Sequence, residues 1–188
     1  EPVAVDRDVL WLLQDWRLTR DWQIAAGFDN KMDAAMSGRV GNVVTLNGTV
    51  PGDQKVRAGE RIRLRLANAA VARMMALNFE EHRPTIVAID GQPCEPHEPE
   101  GGRLVLGPAM RVDVILDMQG DPGKRYAVTD DFYEGLGYTL TNLAYDAGPP
   151  LRADPLDAPV GLPRNPLPEP DLGNAVHQEI VLQESSLA

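Results

Sequence analysis

Apolar and polar residues alternate along this chain in short runs, and a period of two dominates over the helical period. The clearest case is residues 61–66, where Arg61, Arg63 and Arg65 share one face and Ile62, Leu64 and Leu66 the other. That pattern predicts a half-buried strand whose arginine face is solvated or paired with the chain's acids. Residues 9–15 (VLWLLQD) are mostly apolar, as in a buried strand. Strand patterns recur at 42–46, 74–79, 85–89, 103–106, 111–116, 126–129 and 139–145. Asn47-Gly48, Asp90-Gly91 and Gly107-Pro108 punctuate them with turn signals. Nine short strands so spaced predict an antiparallel sandwich or barrel. The single helix expected is short, near residues 29–36 (DNKMDAAM), with Asp29 as its cap and Gly38 just past its end.

The pattern breaks after residue 147. Eight of the 16 prolines lie between 149 and 170. Proline fixes φ and has no amide donor, so this stretch is expected to be an extended connector. From residue 146 onward there are seven acids against two bases, half of the net charge of −10. Residues 176–183 (VHQEIVLQ) again read as a strand, but one strand cannot make a domain. The expected organisation is a body over residues 1–147, a Pro-rich acidic linker over 148–175, and a strand over 176–188 leading to a further domain. A chain opening on Glu1-Pro2, with no signal-like region, reads as a processed or excised piece.

Composition narrows the function classes. The length is enough for one cored domain with an arm. The excess of acids disfavours a binder of phosphate backbones, so no nucleic-acid partner is expected. No apolar run approaches the roughly 20 residues of a membrane span.

Candidate chemistry is thin. His82, Cys94 and His97 are the nearest thing to a zinc or copper set, with C-x-x-H spacing in the loop PCEPHEP. The plainer reading is a half-buried cysteine and a solvent-facing His97. Glu80-Glu81 beside His82 offers acid–base groups, but adjacent acids at a turn are ordinarily solvated. Trp11, Trp16 and Trp22 are core or interface residues, or a stacking platform for a ligand. Met74-Met75 suits strand packing rather than a copper(I) site. Asn47-Gly48-Thr49 satisfies N-x-T, a tripeptide that arises often by chance. No residue is assigned a catalytic, cofactor-binding or metal role.

Five segments, taken in order, carry a resemblance. They are WLLQDWR (11–17), VTLNGTV followed by Pro51 (44–50), AGERIRLRLAN (58–68), TIVAIDG (85–91) and GPAMRVDVILD (107–117). Together they resemble the second, middle domain of bacterial three-domain multicopper oxidases of the laccase-like type, from about residue 9 to 145. The resemblance implies an all-β, cupredoxin-like Greek-key sandwich with one short helix and a Pro-rich C-terminal arm. It also implies that the copper, type 1 and trinuclear, lies in the first and third domains, held by H-x-H pairs and an H-C-H motif. This sequence contains neither motif. The implied role is a copper-free spacer between domains one and three, and part of the wall of the substrate cleft. The intact parent would couple one-electron oxidation of a small molecule or metal ion to reduction of dioxygen to water, in the periplasm or outside the cell.

Two other readings stay open: a free-standing, non-catalytic sandwich that binds a partner, and a small metal-binding cupredoxin using His82, Cys94 and His97. The spacer reading predicts an exposed apolar surface, with Trp11, Trp16, Trp22 and Leu136 as candidates, and an arm that is mobile or ordered only by another chain. The loop 130–137 (DDFYEGLG), with Phe132 and Tyr133, and nearby Tyr138, is the best candidate for substrate contact.

Overall fold

The computed structural model describes residues 4–154, 156–157, 161–168 and 170–181. Two sheets face each other. The larger has six strands: β1 (Arg7–Trp16), β2 (Val43–Leu46), β4 (Arg61–Asn68), β6 (Thr85–Ile89), β7 (Gln92–His97) and β9 (Arg111–Asp117), in the order β2-β1-β4-β9-β6-β7. The smaller has five: β3 (Gln54–Val56), β5 (Met75–Phe79), β8 (Arg103–Leu106), β10 (Arg125–Asp130) and β11 (Tyr138–Tyr145), in the order β3-β11-β10-β5-β8. Neighbours in each sheet are mostly not consecutive in the chain, so the connections cross between layers. This is the expected cupredoxin-like sandwich.

All nine expected strands form. The expectation of antiparallel pairing throughout is corrected by two parallel pairs, β1 with β4 and β11 with β3. Two strands were not foreseen. β3 has only three residues, too few to display a period. β7 occupies the PCEPHEP segment that read as a loop; its prolines are tolerated because it lies at the sheet edge. The helix α1 (Lys31–Ala35) is shorter than expected and capped by Asn30, not Asp29: the Asn30 side chain accepts from Met32 N. Gly38, at φ 75°, closes the turn that follows, its amide donating to Asp33 O.

The apolar faces meet between the sheets. Leu64 and Leu66 of β4, Leu77 of β5, Leu106 of β8, Val114 of β9 and Leu143 of β11 are fully buried there. Trp11 stacks on Phe79 with ring centroids 6.2 Å apart and is 3% exposed, so it is core and not surface. Asn47 and Asp90 both adopt positive φ ahead of their glycines, as tight two-residue turns demand.

The arginine face of β4 is paired. Arg61 forks onto Asp117, its cross-strand neighbour, at 2.6 and 2.7 Å. Arg63 donates to Asp113, and Arg65 forks onto Asp8 of β1 at 2.6 Å for both bonds. Acids on both flanking strands neutralise the row, so it offers no free cationic patch.

The arm does not merely trail. Leu151 N donates to Ala58 O at 2.7 Å, Arg61 reaches Asp157 O at 2.7 Å, and Asn165 meets Gln92 of β7 at 2.9 Å. Its described residues thus pack along its own body. Residues 176–181 form no strand. An extended segment needs an adjacent edge for its hydrogen bonds, and these residues have no β pairing. Residues 182 and 183 of that expected strand lie outside the described residues.

Candidate functional site

One end of the sandwich is open. Between β1 and β2 the chain makes a long excursion, residues 17–42, that contributes α1 but buries none of its residues. Asp33 holds it down by bonding Arg17 at 2.6 and 3.1 Å. Thr19 caps the turn that presents Trp22, accepting from Gln23 N. Trp22 sits at φ 61° and is 67% exposed. A bulky side chain held at positive φ costs of order 1 kcal/mol or more, so the surrounding turn dictates this presentation.

The excursion forms one wall of a groove of about 610 Å³. Trp22, Val50 and Leu136 stand along it, with Arg73, Tyr133 and Tyr138 deeper in. Arg73 bonds Asp15 at 3.3 Å and Gly41 O at 2.8 Å, and its guanidinium lies 5.4 Å from the Tyr133 ring centroid. Tyr138 donates to Asp130 at 3.0 Å. Asp130 in turn accepts from Ala76 N and Phe132 N, which fixes the loop 130–137 against β5. Burial pushes the Tyr138 phenol up, so it stays protonated as a donor. Every charged group deep in the groove is therefore already committed to a partner. The groove, lined mainly by apolar and aromatic side chains, can receive an apolar or aromatic surface.

Of the residues proposed for substrate contact, Tyr133 and Tyr138 line the groove, whereas Phe132 packs edge-on against Tyr133, 5.0 Å away. The early tryptophans do not cluster in space as a platform. Trp16 donates to Thr45 Oγ1 and borders a separate hollow of about 310 Å³ with Ile24, Phe28 and Val71. Trp16, Trp22 and Leu136 do form exposed apolar surface, as expected, and Trp11 does not. The excursion as a wall went unrecognised; its signal was five large apolar residues, Trp22, Ile24, Phe28, Met32 and Met36, in a stretch where only the short helix Lys31–Ala35 forms and none of them is buried.

The His82, Cys94 and His97 set does not fit a metal. His82 is buried, with Nδ1 bonded to Glu80 O and Nε2 to the Tyr145 hydroxyl. Both bonds are satisfied by a neutral ring carrying its proton on Nδ1. Cys94 has its thiol pushed up by desolvation and by Glu95, against formation of a ligating thiolate. His97 turns Nδ1 to Glu95 O. Among the described residues, no three His, Cys, Asp or Glu side chains are grouped to hold a metal ion. Glu80 is likewise structural, accepting from Ala127 N, and Asn47 uses its side chain to bridge Leu10 O and Leu12 N.

His82 makes the fold pH-sensitive. Burial holds its pKa below the ordinary 6.5 despite Glu80 and Glu81 nearby. The unfolded chain then takes up a proton that the folded chain refuses. Stability is full above 6.5 and declines as pH falls from 6.5 towards the lower folded value. Asp6, Asp8 and Asp131, held below 3.8 by Arg152, Arg65 and Arg103, add losses only in stronger acid. Urea midpoints measured on both sides of 6.5 should show this decline, and His82→Gln should flatten it.

The geometry defines a cupredoxin-like β-sandwich with an open groove, and among its described residues no three His, Cys, Asp or Glu side chains are grouped to hold a metal. The chain belongs to the multicopper oxidase family, whose profile matches residues 7–147. Its structure is similar to a multi-copper oxidase from Pseudomonas thermotolerans, with a TM-score of 0.77 and 28% identity, over 92% of this chain and 40% of that one. It is also similar to the laccase-like multi-copper oxidase CueO from Ochrobactrum sp., described as having oxidase activity towards lignin model compounds and lignosulfonate. There the TM-score is 0.70 at 26% identity, over 91% of this chain and 37% of that one. The iron transport multicopper oxidase fio1 of Schizosaccharomyces pombe is 23% identical across 94% of this chain, which spans 30% of that protein. No helix among the described residues is long and apolar enough to cross a membrane.

Proposed function

We propose that this chain is the copper-free middle domain of a multicopper oxidase, a spacer that positions two copper-bearing cupredoxin domains. On this reading residues 1–147 are the domain, 148–175 the linker, and 176–188 the lead into the third domain. The observation that carries it is the family match over 7–147 in a chain that has no H-x-H or H-C-H motif and spans 40% of a solved relative. The intact protein would take electrons singly from a small-molecule or metal-ion reductant and deliver them to dioxygen through copper held elsewhere. It would work in the periplasm or outside the cell. Here Trp22, Leu136, Tyr133 and Tyr138 would supply an apolar, aromatic wall where domains or reductant meet.

The test is the complete reading frame together with copper analysis. Copper should be bound by the intact protein, with H-x-H pairs upstream and H-C-H downstream, and residues 1–188 alone should take up no copper(II) tightly. A reading frame lacking those motifs would overturn the proposal. The docking of the arm on its own body favours a second reading, a self-standing binding module; the same reading frame decides between them.

A further inference from the structure

The chain comes into the sandwich through Asp6 and leaves it through Arg152, and these two residues meet. Arg152 places Nη1 and Nη2 on the two carboxylate oxygens of Asp6, each at 2.7 Å, and its Nη1 also bonds Gly59 O. Asp6 is itself pinned to β4: its amide donates to Arg61 O at 2.9 Å, and its carboxylate accepts from Arg61 N at 2.7 Å. Arg7 beside it reaches Glu60 at 3.2 Å. One turn of chain, residues 57–61, thus holds both the incoming and the outgoing segment.

A second observation, independent of charge, is Gly59. It sits at φ 78°, and a Cβ there would lie 2.8 Å from Arg152 O and 3.0 Å from Arg152 N. The backbone of the arm passes so close that only glycine leaves room. Leu151 N adds a backbone bond to Ala58 O, and Arg57 donates to Pro149 O at 2.9 Å. Further along, Arg61 holds Asp157 O, and Asn165 reaches Gln92 at the far edge of the six-stranded sheet. The arm is thereby led from the start of β4 to β7.

We propose that Asp6 and Arg152 form a clip that fastens the outgoing arm to the incoming strand. The incoming segment and the first residues of the outgoing arm are thereby held side by side at the start of β4. Its consequence for neighbouring domains rests on the spacer reading; the clip itself does not. An isolated exposed ion pair holds little, but a forked pair anchored to two backbone groups and a glycine contact fixes direction as well as distance. The guanidinium also lowers the Asp6 pKa, so the clip stays charged through the neutral range.

The test measures the distance between the two segments. In a Cys94→Ser background of this chain, spin labels at Ala4→Cys and Ala153→Cys, both exposed positions, should give one short, narrow distance distribution. Asp6→Asn and Arg152→Lys should each broaden it, since amide and ammonium cannot reproduce the charged fork. Both should also speed tryptic cleavage after residue 152 by about tenfold while the body melts as one unit. If either variant fails to fold, rising salt on the labelled parent serves instead, because the exposed pair is screened and the distribution should widen. A broad distribution in the parent, or one that neither substitution nor salt alters, overturns the clip. Copper analysis of the intact protein plays no part here, so either proposal can fall without the other.

Discussion

Replacing Asp15 with alanine should cost about 3–5 kcal/mol of folding free energy, the range for breaking a buried ion pair from one side. The Asp15 side chain is 2% exposed and that of its partner Arg73 12%. The carboxylate also accepts from Gly41 N, while Arg73 donates to Gly41 O. Asp15 on β1, Gly41 ahead of β2 and Arg73 ahead of β5 therefore close a ring beneath the groove. Alanine at 15 strands a guanidinium that has little water to turn to, and it frees the excursion on the side that carries Gly41. Asp15→Ala combined with Arg73→Met should recover most of the loss, because it removes the stranded charge along with the cavity. Urea unfolding of the two single variants and the double variant measures this directly. A cost below about 1 kcal/mol for Asp15→Ala would show that the pair is solvated and that the groove floor is not built on it.

Asn68→Ala should cost about 3 kcal/mol by a different route, the loss of buried hydrogen bonds. Asn68 ends β4 where the chain crosses to the other sheet, and it is 1% exposed. Its amide donates to Arg73 O at 2.8 Å and Leu106 O at 3.0 Å, and its carbonyl accepts from Ala70 N at 3.0 Å. Alanine leaves two carbonyls and one amide without these partners. Aspartate nearly preserves the shape but turns a carboxylate oxygen towards two carbonyl oxygens, so Asn68→Asp should be at least as damaging and should ease as pH falls and the acid is protonated. Equal stability of Asn68→Asp and the parent at neutral pH would sink this account. The two sites share Arg73, through its side chain and its carbonyl, so their effects should not add.

Much of the fold was legible because its causes are local. The strict alternation of residues 61–66 fixed β4 and its two faces, and the turns Asn47-Gly48 and Asp90-Gly91 fixed where strands had to reverse. The acids needed to neutralise the arginine face were visible in number. That Asp8, Asp113 and Asp117 are the ones used depends on β1 and β9 flanking β4. The short edge strands β3 and β7 were hidden, one by length and one by its prolines. Of the groove, Trp22, Tyr133, Leu136 and Tyr138 stood out as aromatic or apolar residues in unfavourable surroundings. Val50 and Arg73 carried no such mark.

The sequence by itself determined nine of the eleven strands, the turn chemistry, the family and the lack of copper-binding motifs. Each rests on neighbours in the chain, where side-chain period and backbone preference act. Only the tertiary structure decided which strands run parallel, that Trp11 is core while Trp22 is exposed, that His82 is spent on Tyr145, and that Asp6 meets Arg152. Those outcomes depend on which distant segments the crossovers bring together, and burial and pairing across 146 residues of chain leave no trace in a local pattern.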